Sequence, residues 1–126
     1  MYDQTLVLDL LDEMIEACKK VEKRCSNISD VDGFLTEEGQ IILDSICMQL
    51  IAIGEAVKKV DAITDKKLFS HYPSTNWKAI AAMRDILSHH YFDLNAETVY
   101  GVCQDDIVPL KKRLEEIRQA MQKSNE

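Results

Sequence analysis

Leu6, Val7, Leu10, Leu11, Met14, Cys18 and Val21 recur at intervals of three and four, while Asp9, Asp12, Glu16, Lys19 and Lys23 fall between them. This spacing predicts an amphipathic helix over residues 3–25. Residues 26–34, S-N-I-S-D-V-D-G-F, are rich in turn formers and read as a loop. A second helix is predicted from Thr36, a good N-cap with Glu37 and Glu38 in the first turn, to about Val60. Its sequence I-I-L-D-S-I-C-M-Q-L-I-A-I-G-E-A-V is apolar around most of the circumference, with Asp44, Ser45, Gln49, Glu55 and Lys59 on a narrow polar stripe. Such a helix is either central or packs both on its own core and on another subunit. Gly54 lowers helix stability and therefore marks a close helix–helix approach.

Residues 61–76 form a polar connection with one helical turn around Asp65–Phe69. Pro73, Ser74, Thr75 and Asn76 lead into a third helix from Trp77, W-K-A-I-A-A-M-R-D-I-L-S-H-H-Y. Phe92–Asn95 is a break with Asn95 as N-cap. A last helix follows, with Val99, Val102, Cys103, Ile107, Leu110, Leu114 and Ile117 on one side. Pro109 must kink it or sit in the first turn of a restarted helix capped by Asp105 or Asp106. The terminal Q-K-S-N-E is expected to fray. The sum is one all-α domain over residues 1–126, an antiparallel four-helix bundle with a short extra turn between helices 2 and 3.

Composition narrows the picture. Apolar residues make up 46%, too many for a disordered chain, and only four Gly and two Pro leave little turn chemistry for a many-stranded sheet. The net charge is −7, so a broad basic field is excluded. RNA contact would need a local site or a partner's help. Cys18, Cys25, Cys47 and Cys103 show no metal-ligand spacing, so no metal site is expected. Cys18, Cys47 and Cys103 lie among apolar residues as core fillers, which fits a reducing compartment. The start M-Y-D-Q-T lacks a basic n-region, and the longest uncharged run, residues 45–54, is too short to span a membrane, so a cytoplasmic location is expected.

Chemistry concentrates in R-D-I-L-S-H-H-Y-F, residues 84–92. On an ideal helix with Trp77 at 0°, Arg84 lies at about 340°, within the apolar arc of Ile80, Leu87 and Tyr91, while His89 lies at about 120° beside Lys78 and Asp85. An arginine in an apolar arc must be paired, with Glu55 or Asp44 as candidates, or must line a cleft. Arg84 and His89 diverge by about 140° on a regular helix. Either the helix ends before His89 and swings it round, or two copies meet and present each group across one twofold cleft. Read singly, Arg84 is a buried ion pair, His89 a helix-dipole partner and Tyr91 a core residue with a wet hydroxyl. Asp85 is placed to orient a histidine or to pair with Lys78. Ser88 can bond back to the helix. His90 is a second candidate imidazole.

R-D-I-L-S-H fits the R-x4-H pattern of HEPN domains, and with Tyr91 it becomes R-x4-H-x-Y, which resembles the HepT-like toxin branch. I-G-E-A-V at 53–57, N-W-K-A-I at 76–80, M-R-D at 83–85, H-H-Y-F-D at 89–93 and D-D-I-V-P-L in the last helix follow in the family's order. The resemblance implies a HEPN bundle, a homodimer with the motif in the dimer cleft, and a metal-independent endoribonuclease without a cofactor. Arg84 and His89 become the catalytic candidates, with Asp85, Ser88 and His90 in support. It further implies an MNT-type nucleotidyltransferase antitoxin as partner, which transfers AMP to Tyr91 and silences the toxin. The alternative is a non-catalytic bundle that docks to and regulates the nucleotidyltransferase.

Overall fold

The computed structural model describes residues 2–89 and 96–124. Among these no strand occurs, and the protein is an all-α bundle. Helix α1 spans Gln4–Cys25, with the Asp3 carboxylate accepting the Leu6 N–H at 3.1 Å as N-cap and Lys23 and Arg24 in the last turn, where the helix dipole favours cations. The segment read as a loop contains one 3-10 turn, Val31–Phe34, closed by Gly33 N–H to the Asp30 carboxylate at 3.2 Å. Helix α2 spans Glu37–Thr64, and the Thr36 hydroxyl accepts the Gly39 N–H at 2.9 Å as expected. It outlasts the predicted end at Val60 by one turn. Val60 and Thr64 are both buried, and the Thr64 hydroxyl bonds back to the Val60 carbonyl at 2.9 Å, so the last turn is held inside the protein.

Asp65 and Lys66 then take left-handed backbone, φ 53° and 61°, which reverses the chain. The short α3, Lys67–Ser70, follows. Its Phe69 stacks on Trp77 with centroids 3.8 Å apart and planes 9° from parallel. Trp77 also donates its indole N–H to the Tyr72 carbonyl at 3.0 Å, and the Asn76 side chain caps α4 by accepting the Ala79 N–H at 3.0 Å. Helix α4 spans Trp77–His89, as the sequence predicted at its start. The predicted break at 92–95, with Asn95 as cap, lies outside the described residues.

The last helix is continuous but not uniform. Helix α5, Ala96–Gly101, passes into a π turn, Val102–Asp106, and then into α6, Ile107–Ser124. Ile107 donates its N–H five residues back, to Val102. Pro109 accounts for the change of pitch. It has no N–H to give, and its ring collides with the carbonyl four residues earlier in regular α geometry. Widening the preceding turn relieves that conflict. Pro109 therefore lies in the first turn of a restarted helix, but Asp105 and Asp106 do not cap it, because both are part of the π turn.

Helix α1 packs against α2 and α6, and α2 packs against α4 on its other side, so α2 is the shared wall. The buried side chains form one cluster around Leu11, Met14, Phe34, Ile46, Leu50, Ile53, Leu114 and Ile117. All four cysteines are free and buried within it. Burial pushes the Cys18 thiol up to about 12 and the Cys47 thiol to about 11, so both stay protonated fillers. By length and composition α2 is apolar enough to cross a membrane, with 39% of its most apolar window buried in the bundle. That exceeds what the short uncharged run 45–54 suggested, because Asp44 and Glu55 interrupt a longer apolar stretch. Leu35, Ile41 and Met48 remain exposed beside this wall, at 63%, 66% and 63%.

Candidate active site

The site begins at the crossing of α2 and α4. A Cβ on Gly54 would lie 2.9 Å from the Ile80 carbonyl oxygen, 3.0 Å from the Arg84 Cβ and 3.1 Å from the Arg84 nitrogen. Two of these neighbours are backbone and cannot yield. The close approach read from the sequence is thus real, and its contact is the arginine of the motif.

Brought against α2, the Arg84 guanidinium meets Glu55 one residue beyond Gly54. Its Nε lies 3.2 Å from the Glu55 carboxylate, and its Nη1 donates to the Asp85 carboxylate at 3.0 Å. Of the two partners expected from the sequence, Glu55 is the one used. Arg84 is 38% exposed, so it is a rim residue of the seam and not a buried charge. Among the described residues nothing occupies its Nη2 edge. A planar guanidinium with two nitrogens fixed and one open is suited to receive an anion.

Asp85 links the site together. Its second carboxylate oxygen accepts from the Lys58 ammonium at 3.0 Å, which ties α4 to α2 a second time. The sequence reading offered Lys78 as its ion-pair partner. Lys58 takes that place, because α2 crosses α4 at this level, an inter-helix contact that spacing within one helix does not report. The Lys58 and Arg84 cations beside it hold the Asp85 carboxyl below the usual carboxylate range.

His89 is exposed at the last residue of α4, and its Nδ1 lies 2.9 Å from the Asp85 carbonyl oxygen. A carbonyl oxygen only accepts, so Nδ1 carries the proton in this contact. In the neutral ring Nε2 then holds the lone pair and faces away from the helix, the arrangement a general base needs. The helix keeps its order through His89 and does not swing the ring round toward Arg84. Asp85 thus orients the histidine through its backbone and the arginine through its side chain. Ser88 is exposed on the same turn. His90 and Tyr91 lie outside the described residues. The contribution missed from sequence is Lys58, which joins Glu55 in tying α4 to α2. The i, i+3 pair of opposite charges next to Gly54 was the available signal. Among the described residues no group of three metal-ligating side chains assembles.

Fold and site together define a small helical bundle with an arginine–aspartate–histidine cluster on its fourth helix, anchored by a glycine crossing. The chain belongs to the HepT-like ribonuclease family, whose model matches residues 14–117. A Methanocaldococcus jannaschii protein named as a candidate RNase is 31% identical over 93% of this chain and 83% of its own length. Another protein of that organism with the same description is 34% identical over 58% of this chain, and the match spans 57% of that protein. A Thermococcus cleftensis protein named as a probable ribonuclease HepT is 29% identical over 87% of this chain and 94% of its own. No solved structure matches the chain.

Proposed function

We propose that this protein is a metal-independent endoribonuclease, the toxin of a cytoplasmic HEPN/MNT toxin–antitoxin pair, acting through Arg84, His89 and Tyr91 of its R-x4-H-x-Y motif. The observation that carries the reading is the shared use of Asp85. Its carboxylate and Glu55 hold Arg84 with one edge open, and its carbonyl sets the His89 tautomer.

RNA supplies its own nucleophile. The 2′-OH attacks the adjacent phosphorus as His89 Nε2 takes its proton; the P–O5′ bond breaks, leaving a 2′,3′-cyclic phosphate, and the departing 5′-oxygen takes a proton from solvent to become a 5′-hydroxyl. The open edge of Arg84 stabilises the charge that builds on the phosphate oxygens. Arg84 turns into the α2 seam and His89 turns outward, so one copy presents them on different sides of α4. A twofold homodimer resolves this by bringing two copies of each group to one cleft. The exposed Leu35, Ile41 and Met48 along α2 are consistent with such a contact. Silencing follows from covalent chemistry on Tyr91. Its phenolic oxygen attacks the α-phosphorus of ATP on the nucleotidyltransferase, pyrophosphate leaves, and the AMP group adds bulk and negative charge at the cleft.

The test is cleavage of total RNA or tRNA in excess chelator by protein whose intact mass shows no AMP. Cleavage that His89→Ala and Arg84→Ala both abolish supports the reading. Equal cleavage by both variants would overturn it in favour of a non-catalytic module that docks to the nucleotidyltransferase.

A further inference from the structure

The chain is acidic as a whole, yet its charge is unevenly divided. Residues 58–85 hold six basic and three acidic residues, against nine basic and nineteen acidic in the rest of the chain. Of those six cations the tertiary structure places Lys66 and Lys78 at one cleft and Lys58 against α4. Lys66, in left-handed backbone after α2, and Lys78, in the first turn of α4, both line one shallow cleft of about 480 Å3 between the α2 end and the 73–76 turn. Asp61 is the carboxylate among its lining residues; burial pushes its carboxyl up, and the Lys66 cation beside it acts in the opposite direction. From Lys78 the same side of α4 leads through Asp85 to His89, positions 78, 85 and 89 lying within about 40° of one another around the helix. Lys58 joins this edge from α2 by its 3.0 Å bond to Asp85. Lys78 and His89 are eleven residues apart, about 16 Å along the axis at 1.5 Å rise per residue. Ala82, small and half-buried, leaves the surface between them low.

We propose that Lys66 and Lys78 form an entry site for the phosphate backbone of single-stranded RNA and deliver the strand along the outer edge of α4 to His89. The proposal rests on the ribonuclease reading for what happens at His89, but its own content is binding. It explains how a chain of net charge −7 engages a polyanion: a short local cation track suffices, and the surrounding acidity rejects RNA elsewhere. Lys66 and Lys78 act as positioning residues for substrates long enough to span from the scissile bond to the cleft.

The experiment compares Lys66→Glu/Lys78→Glu with Lys20→Glu/Lys23→Glu, an equal charge change among exposed lysines of α1. Each pair is placed in the His89→Ala background, and binding of a labelled twelve-nucleotide single-stranded RNA is followed by fluorescence anisotropy across a salt series, with helicity checked by circular dichroism. The expected result is affinity about tenfold or more weaker for the 66/78 pair than for the α1 pair, with a log–log salt slope shallower by about 1.4 from two lost phosphate contacts. In otherwise wild-type protein the same pair raises KM on the twelve-mer by a larger factor than on a dinucleotide, which is too short to reach the cleft. Equal effects from both pairs, or no RNA binding at all, would overturn the entry site. RNA binding through Lys66 and Lys78 without cleavage by wild-type protein would instead sustain the entry site and overturn the ribonuclease reading.

Discussion

Two seams of this bundle are stitched by an arginine, and they differ in how completely that arginine is used. At the α1/α6 seam, Arg118 gives Nε and Nη2 to Asp12 and Nη1 to Gln122 at 2.8 Å, so all three nitrogens are taken. At the α2/α4 seam, Arg84 holds Nε in an ion pair with Glu55 at 3.2 Å, donates Nη1 to Asp85 and keeps Nη2 open among the described residues. The α1/α6 seam also borders the larger cleft, about 650 Å3, lined by Asp12, Glu16, Lys19, Glu115 and Arg118, yet no imidazole lies there. A guanidinium saturated by its own protein is a fastener, and one with an open edge can still take an anion.

The largest expected effect tests that contrast at its functional end. Arg84→Ala and His89→Ala are each expected to lower RNA cleavage on the order of 100-fold or more, while Arg118→Ala leaves cleavage unchanged and lowers the melting temperature. Gly54→Ala should combine both kinds of damage. The added methyl meets backbone atoms of α4 at 2.9–3.1 Å, so the helices must separate, at a cost of about 1–3 kcal/mol by the overpacking scale. Cleavage should fall more than the stability loss explains, because Arg84 moves with the seam. Thermal melts beside rate measurements separate the two losses.

Glu55→Gln sharpens the comparison more gently. It removes one of the two carboxylates around Arg84 and keeps the shape, so RNA should bind a few-fold tighter while kcat falls as the guanidinium loses its fixed angle. The KM-against-kcat split reads this directly. The smallest effect is in acid. The Asp85 carboxyl is held low in the folded protein, so its contribution is fully present above the unfolded value of about 3.9 and is lost as pH falls through the lower folded value. Asp85→Asn should therefore flatten the dependence of stability on pH below about 4 and lower stability by a constant amount between pH 5 and 8.

What sequence could reveal follows from the range of the interactions involved. Helices α1, α2 and α4 were legible because their apolar spacing and caps are local: Thr36 and the start at Trp77 fall where expected. The Gly54 approach and the inward place of Arg84 were also legible, since each is an anomaly within its own helix. The Lys58–Asp85 bridge was not, because it depends on which turns of two helices meet. The π turn was hidden for a related reason. Pro109 announces a conflict, but relief by a cap, a kink or a wider turn depends on the surrounding packing. The Val31–Phe34 turn is too short to carry periodicity, and only the Asp30–Gly33 pair hints at it.

The central claim is that Arg84 and His89 form a working ribonuclease site while Arg118 is structural. It is tested most directly by RNA cleavage in excess chelator, using unmodified wild-type protein with Arg84→Ala, His89→Ala and Arg118→Ala alongside. Wild type and Arg118→Ala are expected to cleave RNA and the other two to have lost cleavage, all four remaining folded. Cleavage retained in both Arg84→Ala and His89→Ala, or none by verified unmodified wild type, would contradict it.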